Sequence, residues 1–80
     1  MKPVWIDAVG LVCPLPLIRL QNQIELVDLG REVVLLADDP STYDDIPFWC
    51  QQTGHKLVSI EANQLQQFEI RVMKMSVSKP

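Results

Sequence analysis

The sequence predicts an α+β fold: a two-layer sandwich of order βαβαββ, in which a four-stranded mixed sheet carries both helices on one face. Three observations lead there. Apolar residues alternate over Val4–Ala8, recur at helical spacing over Leu17, Leu20, Ile24 and Val27, and then run almost unbroken from Glu32 to Ala37. Prolines and glycines at Pro14, Pro16, Gly30, Pro40, Pro47 and Gly54 punctuate the chain between those segments. The length of 80 residues suits one domain with one core.

Val4-Trp5-Ile6-Asp7-Ala8 is β-rich and predicts the first strand. Gly10 allows the turn that follows. The first helix is predicted from about Pro14 to Asp28, with Leu17, Leu20, Ile24 and Val27 inward and Gly30 as its stop. Glu32 to Ala37 has the apolar run of a central strand. Pro47 cannot sit deep in a helix, so the second helix is predicted to start near Asp44 or Asp45, with Asp45 as N-cap. Ile46, Trp49 and Cys50 then share a face, and Gly54 ends the helix. Lys56 to Ala62 alternates as a third strand, Asn63-Gln64 forms a turn, and Phe68, Ile70 and Val72 alternate in a fourth. Residues 1–74 are read as the domain and 75–80 as a polar tail that frays.

The net charge of −3 argues against nucleic acid as the main partner. Two cysteines 37 positions apart are too few for a metal framework and fit a reduced, cytoplasmic setting. No stretch approaches the roughly 18 apolar residues of a membrane span. Met1-Lys2 followed by Val4 to Ile18 imitates a signal peptide, but Asp7 interrupts it and Val12 is not a cleavage-site residue.

The most informative stretch is Gly10-Leu11-Val12-Cys13-Pro14-Leu15-Pro16. With Cys13 as N-cap, Pro14 is N1 and Pro16 is N3, where neither ring removes a bond the helix needs. A helix N-terminus carries a partial positive charge of roughly half a unit, which favours a thiolate. The prolines leave mainly the N–H groups of Cys13 and Leu15 to face an anion, so moderate activation is expected. Position alone is equally compatible with a small buried cysteine in a tight turn.

A parallel first β-α-β unit brings Cys13, Asp38, Asp39, Asp44 and Asp45 to one edge. Nearby carboxylates oppose the helix dipole by raising a thiol pKa. For Asp38 and Asp39, two readings stand: a docking rim for a basic partner, or solvated loop charge. Cys50, on an apolar helix face, is expected in the core. Trp5 and Trp49 are expected in or partly in the core. His55, following Gly54, is placed to stabilise a helix terminus.

The decapeptide from Asp7 through Gly10 and Cys13 to Pro16 resembles the signature of the TusA/SirA-like sulfur carriers: an aspartate, then glycine, then Cys-Pro-X-Pro. Ala37-Asp38-Asp39-Pro40, then Asp45-Ile46-Pro47 and Cys50, is similar to a second block of that family. The resemblance runs from about Trp5 to Lys74 and implies the βαβαββ sandwich and a sulfur relay. Cys13 would accept sulfane sulfur as a persulfide from a cysteine desulfurase or rhodanese and pass it to an acceptor protein's cysteine. Gly10, Pro14 and Pro16 would shape the site, with Asp38 and Asp39 as candidates for partner docking. No cofactor, metal, membrane or direct nucleic-acid contact is expected. Family branches serve tRNA thiolation, sulfur oxidation or molybdenum-cofactor metabolism. Here Val12 stands where many members carry a basic residue, and the first helix has one base, Arg19. Two other classes share the fold: a non-catalytic regulatory domain, and an RNA-binding module, which the acidic balance disfavours.

Overall fold

The computed structural model describes residues 2–77. Its elements are β1 (Val4–Ala8), α1 (Leu15–Leu26), β2 (Glu32–Ala37), α2 (Thr42–Thr53), β3 (Lys56–Ala62) and β4 (Phe68–Met73). The sheet order is β1-β2-β4-β3. β1 and β2 are parallel, with Ala8 opposite Ala37, whereas β4 runs antiparallel to both β2 and β3. The mixed four-stranded sheet and both helices are as the sequence predicts.

The pleat decides which side chains meet the helices. Ile6, Ala8, Val33, Leu35, Ala37, Ile70 and Val72 face Leu20 and Ile24 of α1 and Ile46 and Cys50 of α2 in one core. Full burial of each large aliphatic side chain contributes about 1.5–3 kcal/mol. Leu17, Val27 and Trp49 pack against the rim of that core, as expected. Trp5 does not. The phase that buries Ile6 and Ala8 puts Trp5 on the opposite face of the sheet, next to Val34, where it is 55% exposed.

Helix boundaries differ from the expectation in ways that matter for function. The N-cap of α1 is Pro14, not Cys13, and Pro16 is its second residue. The Cys13–Pro14 peptide bond is cis. α1 ends at Leu26, two residues early, and Gly30 (φ +84°) instead shapes the Asp28–Arg31 turn into β2. The second helix begins at Thr42 with Ser41 as N-cap, so Asp45 lies in its opening turns. Asp39 permits the early start. Its carboxylate accepts the Ser41 N–H and hydroxyl, at 3.2 and 2.9 Å, and its carbonyl accepts the Thr42 N–H and hydroxyl, at 3.0 and 2.6 Å. Pro47 therefore falls inside α2. Gly54, at φ +85°, closes α2 by donating to the Cys50 carbonyl at 2.9 Å.

The β3–β4 connection is longer than the Asn63-Gln64 turn expected. Asn63 Oδ1 accepts the N–H groups of Leu65 and Gln67, organising a loop that no glycine serves. The tail also departs from expectation over its first residues. Met75 N–H donates to His55 Nδ1 at 3.2 Å, and the Ser76 hydroxyl donates to the Thr53 carbonyl at 2.7 Å. These bonds fasten both residues to the α2–β3 corner. The last part of the expected fraying tail, residues 78–80, lies outside the described residues. His55 is buried against Trp49 and accepts a hydrogen bond rather than capping a helix.

Candidate functional site

The parallel pairing of Ala8 with Ala37 sets the site, because the chain leaves both strands at the same edge. After β1 it turns through Val9 and Gly10, closed by Leu11 N–H donating to the Ala8 carbonyl at 3.2 Å. Gly10 has φ +86° at the third position of this turn, a conformation that strains any residue with a Cβ. Asp7 Oδ1 accepts the Val9 N–H at 3.0 Å. After β2, Asp38 Oδ1 accepts the Gly10 N–H at 2.9 Å, and Asp39 Oδ2 accepts the Cys13 N–H at 2.6 Å. Asp38 and Asp39, for which the sequence leaves a docking rim and solvated loop charge open, tie down the Cys13 loop. Pro14 is exposed, whereas Pro16 is fully buried beneath it.

The thiol departs most from its expected state. Both N–H groups that the prolines leave for an anion are engaged: Cys13 N–H by Asp39, and Leu15 N–H by the Val12 carbonyl at 2.9 Å. Cys13 Sγ itself donates to Asp45 Oδ2 at 3.3 Å. The hydrogen bond to Asp45 leads in pushing the thiol pKa above its ordinary value. Partial desolvation and the Asp45 and Asp39 charges add to it, and Ser41 opposes it. The carboxylates beside the thiol oppose the helix end and favour its protonated form. Asp45 was expected to cap α2, and it binds the thiol instead. Ser41 was missed as a site residue because its part depends on Asp39, which it supports from the other side.

Asp39 has the opposite shift. Hydrogen bonds from the Cys13 N–H and then from the Ser41 hydroxyl and N–H hold its carboxyl below the ordinary carboxylate range. A group depressed in the folded state contributes stability above its unfolded pKa and loses it as pH falls through its folded value. The Cys13 and Ser41 amide signals should therefore shift together on acidification, with a midpoint below 3.8. Asp39→Ala should remove that transition and speed amide exchange at Cys13 by about ten-fold or more. A midpoint at or above the ordinary value would show that these bonds do not hold the loop.

Both cysteines are free, Cys13 exposed and Cys50 buried. Burial pushes the Cys50 thiol up to about 11. Above pH 9.0 an unfolded chain ionises at Cys50 while the folded one resists until about 11, so stability should fall as pH rises through that window. Iodoacetamide on the folded protein should modify Cys13 quickly and Cys50 slowly, as peptide mapping would show. The Cys13 rate should still be climbing at pH 9.0, because its ionisation lies higher. Equal rates at the two thiols would contradict the burial of Cys50.

Exposed apolar side chains flank the thiol: Val12 at 65%, Leu15 at 46% and Ile18 at 41%. Arg19 reaches back to the Asp7 carbonyl at 3.5 Å. Surface grooves lie elsewhere. One of about 310 Å³ is lined by residues 28–32, and one of about 390 Å³ by Trp49, Thr53, His55 and facing residues of α1. Among the described residues no cluster of side chains is arranged to hold a metal ion, and no helix is long and apolar enough to cross a membrane.

Fold and site together define a two-layer sandwich domain that presents one cysteine at the edge where β1 and β2 end. The family model described as Sulfurtransferase TusA matches residues 5–74, and the chain belongs to that family of sulfur carriers. The fold is also similar to the crystal structure of a SirA-like protein from Desulfitobacterium hafniense. The TM-score is 0.80 at 24% identity, over 91% of this chain and 99% of that one.

Proposed function

We propose that the protein relays sulfane sulfur, taking it as a persulfide on Cys13 and passing it to a cysteine of an acceptor protein. The observation that carries this reading is the Cys13 thiol, exposed on a loop whose backbone is pinned by Asp38 and Asp39. Exchange at sulfur needs the attacking sulfur, the sulfane sulfur and the leaving sulfur in line. An edge thiol lets a partner supply that line from outside, whereas a thiol at the bottom of a pocket would obstruct it. The donor would be a protein that forms persulfides, a cysteine desulfurase or a rhodanese, in a reducing cytoplasm that keeps Cys13 free.

Partner docking is assigned to the apolar side chains around the thiol. Val12, Leu15 and Ile18 are exposed beside it, and the α1 face offers Arg19 as its one base. The carboxylates of Asp38 and Asp39 contribute by fixing the loop that partners meet. This surface suits a protein partner better than the phosphate backbone of RNA.

Incubation with a cysteine desulfurase and cysteine, or with a rhodanese and thiosulfate, followed by intact mass measurement, tests the proposal. A gain of one sulfur atom, reversed by dithiothreitol and mapped to Cys13, is the expected result. A fully reduced protein that stays unloaded with both donors would refute the relay.

A further inference from the structure

We propose that Asp45 sets how tightly Cys13 holds its sulfur, stabilising the empty carrier by accepting the thiol's hydrogen bond and destabilising the loaded carrier by facing an anion. The inference rests on the relay reading and concerns the energetics of the same site. Its basis is geometric. Cys13 Sγ lies 3.3 Å from Asp45 Oδ2, and the loop cannot easily carry the sulfur away. The Gly10 and Cys13 N–H groups are bonded to Asp38 and Asp39, and the Leu15 N–H is bonded to Val12.

Loading changes what Asp45 meets. In the exchange, Cys13–SH reacts with a donor persulfide anion, R–S–S⁻. A bond forms between Cys13 Sγ and the sulfane sulfur, and the donor's S–S bond breaks. The donor sulfur leaves with that electron pair and takes up the proton that Cys13 gives up, yielding R–SH and Cys13–S–S⁻. No electrons are gained or lost overall. Cys13 Sγ now has no hydrogen to donate. A hydropersulfide is a stronger acid than its parent thiol, so the terminal sulfur, about 2.05 Å further out, carries negative charge. One favourable contact has become a repulsive one.

The groups around the sulfur do little to relieve this. Asp39 adds a second negative charge, and the Cys13 and Leu15 N–H groups are engaged elsewhere. The Ser41 hydroxyl acts in the other direction but donates to Asp39. Asp45 therefore shifts the exchange equilibrium toward the empty carrier. The same free energy that opposes loading favours handing the sulfur on.

The test is an equilibrium one and needs no partner protein. The reduced protein is mixed with fixed concentrations of glutathione and glutathione persulfide, and the ratio of loaded to empty Cys13 is read by intact mass. Asp45→Asn should raise that ratio by about three- to ten-fold, the scale of one charge-assisted contact at an exposed site. Asp45→Glu, which keeps the charge, should stay nearer the wild type. Asp44→Asn, which removes a neighbouring exposed charge, should leave the ratio unchanged. Added salt should raise the loaded fraction more steeply in the wild type than in Asp45→Asn, because salt screens the repulsion. This comparison also exposes a variant that merely folds poorly. An Asp45→Asn ratio equal to or below the wild type would overturn the inference while sulfur on Cys13 upheld the relay. No sulfur on Cys13 in any protein would overturn both.

Discussion

Cys13→Ser is expected to abolish sulfur acceptance, while Cys50→Ser keeps most of it. The two thiols differ in every property that exchange needs. Cys13 is exposed at the edge of the sheet, and its backbone is fixed by the Asp39 carboxylate at 2.6 Å. Cys50 is 3% exposed, held among core residues, and protonated up to about 11. A serine at position 13 preserves the loop and a donor to Asp45 but removes the sulfur that must form the new bond. A serine at position 50 buries a hydroxyl among apolar neighbours and should cost about 1–3 kcal/mol of stability. Mass spectrometry after donor treatment reads the first effect and a urea titration the second. Labelled sulfur on Cys50 of a folded Cys13→Ser protein, appearing at the wild-type rate, would overturn the assignment.

Ile46→Ala is expected to lower stability by about 2–5 kcal/mol, the range for emptying a buried aliphatic position. Ile46 is fully buried and anchors the opening of α2 to the sheet. A domain of this size has a total stability of about 4–12 kcal/mol, so the loss is a large share of it. Because Asp45 precedes Ile46, the folded fraction should also show weaker holding of the Cys13 thiol, seen as faster alkylation at neutral pH. The urea midpoint should fall with little change in slope. A loss below about 1 kcal/mol would mean that the start of α2 is held by something other than this side chain.

What could be read from the sequence divides along local and long-range lines. The strands and α1 were legible because each has its own hydrophobic period, and the prolines placed Cys13 within one residue of the α1 N-cap. The common edge of Cys13, Asp38 and Asp39 followed from the parallel pairing of β1 and β2. The state of the thiol did not follow. The helix dipole is a local expectation, and it was overridden by Asp39 and Asp45, which are 26 and 32 positions away from Cys13. Asp45 looked like a cap because an aspartate ahead of Pro47 has a local explanation. That explanation fails because Asp39 organises an N-cap at Ser41, four positions before Asp45. Trp5 has a simpler explanation: size and aromaticity suggest burial, but the strand's phase assigns it to the open face.

The three carboxylates that bond the Gly10 and Cys13 N–H groups and the thiol all come from one stretch of eight positions, 38–45, between the end of β2 and the opening of α2. Among the described residues, no strand residue and no α1 side chain holds the backbone N–H of Gly10 or Cys13, or the thiol hydrogen. This makes the segment a cassette in the engineering sense. Exchanging it for the matching stretch of a relative would alter loop tension and sulfur affinity together, while the β1–β2 register stayed as it is. Carriers of widely different sulfur affinity could then be built, or could have diverged, on one unchanged scaffold.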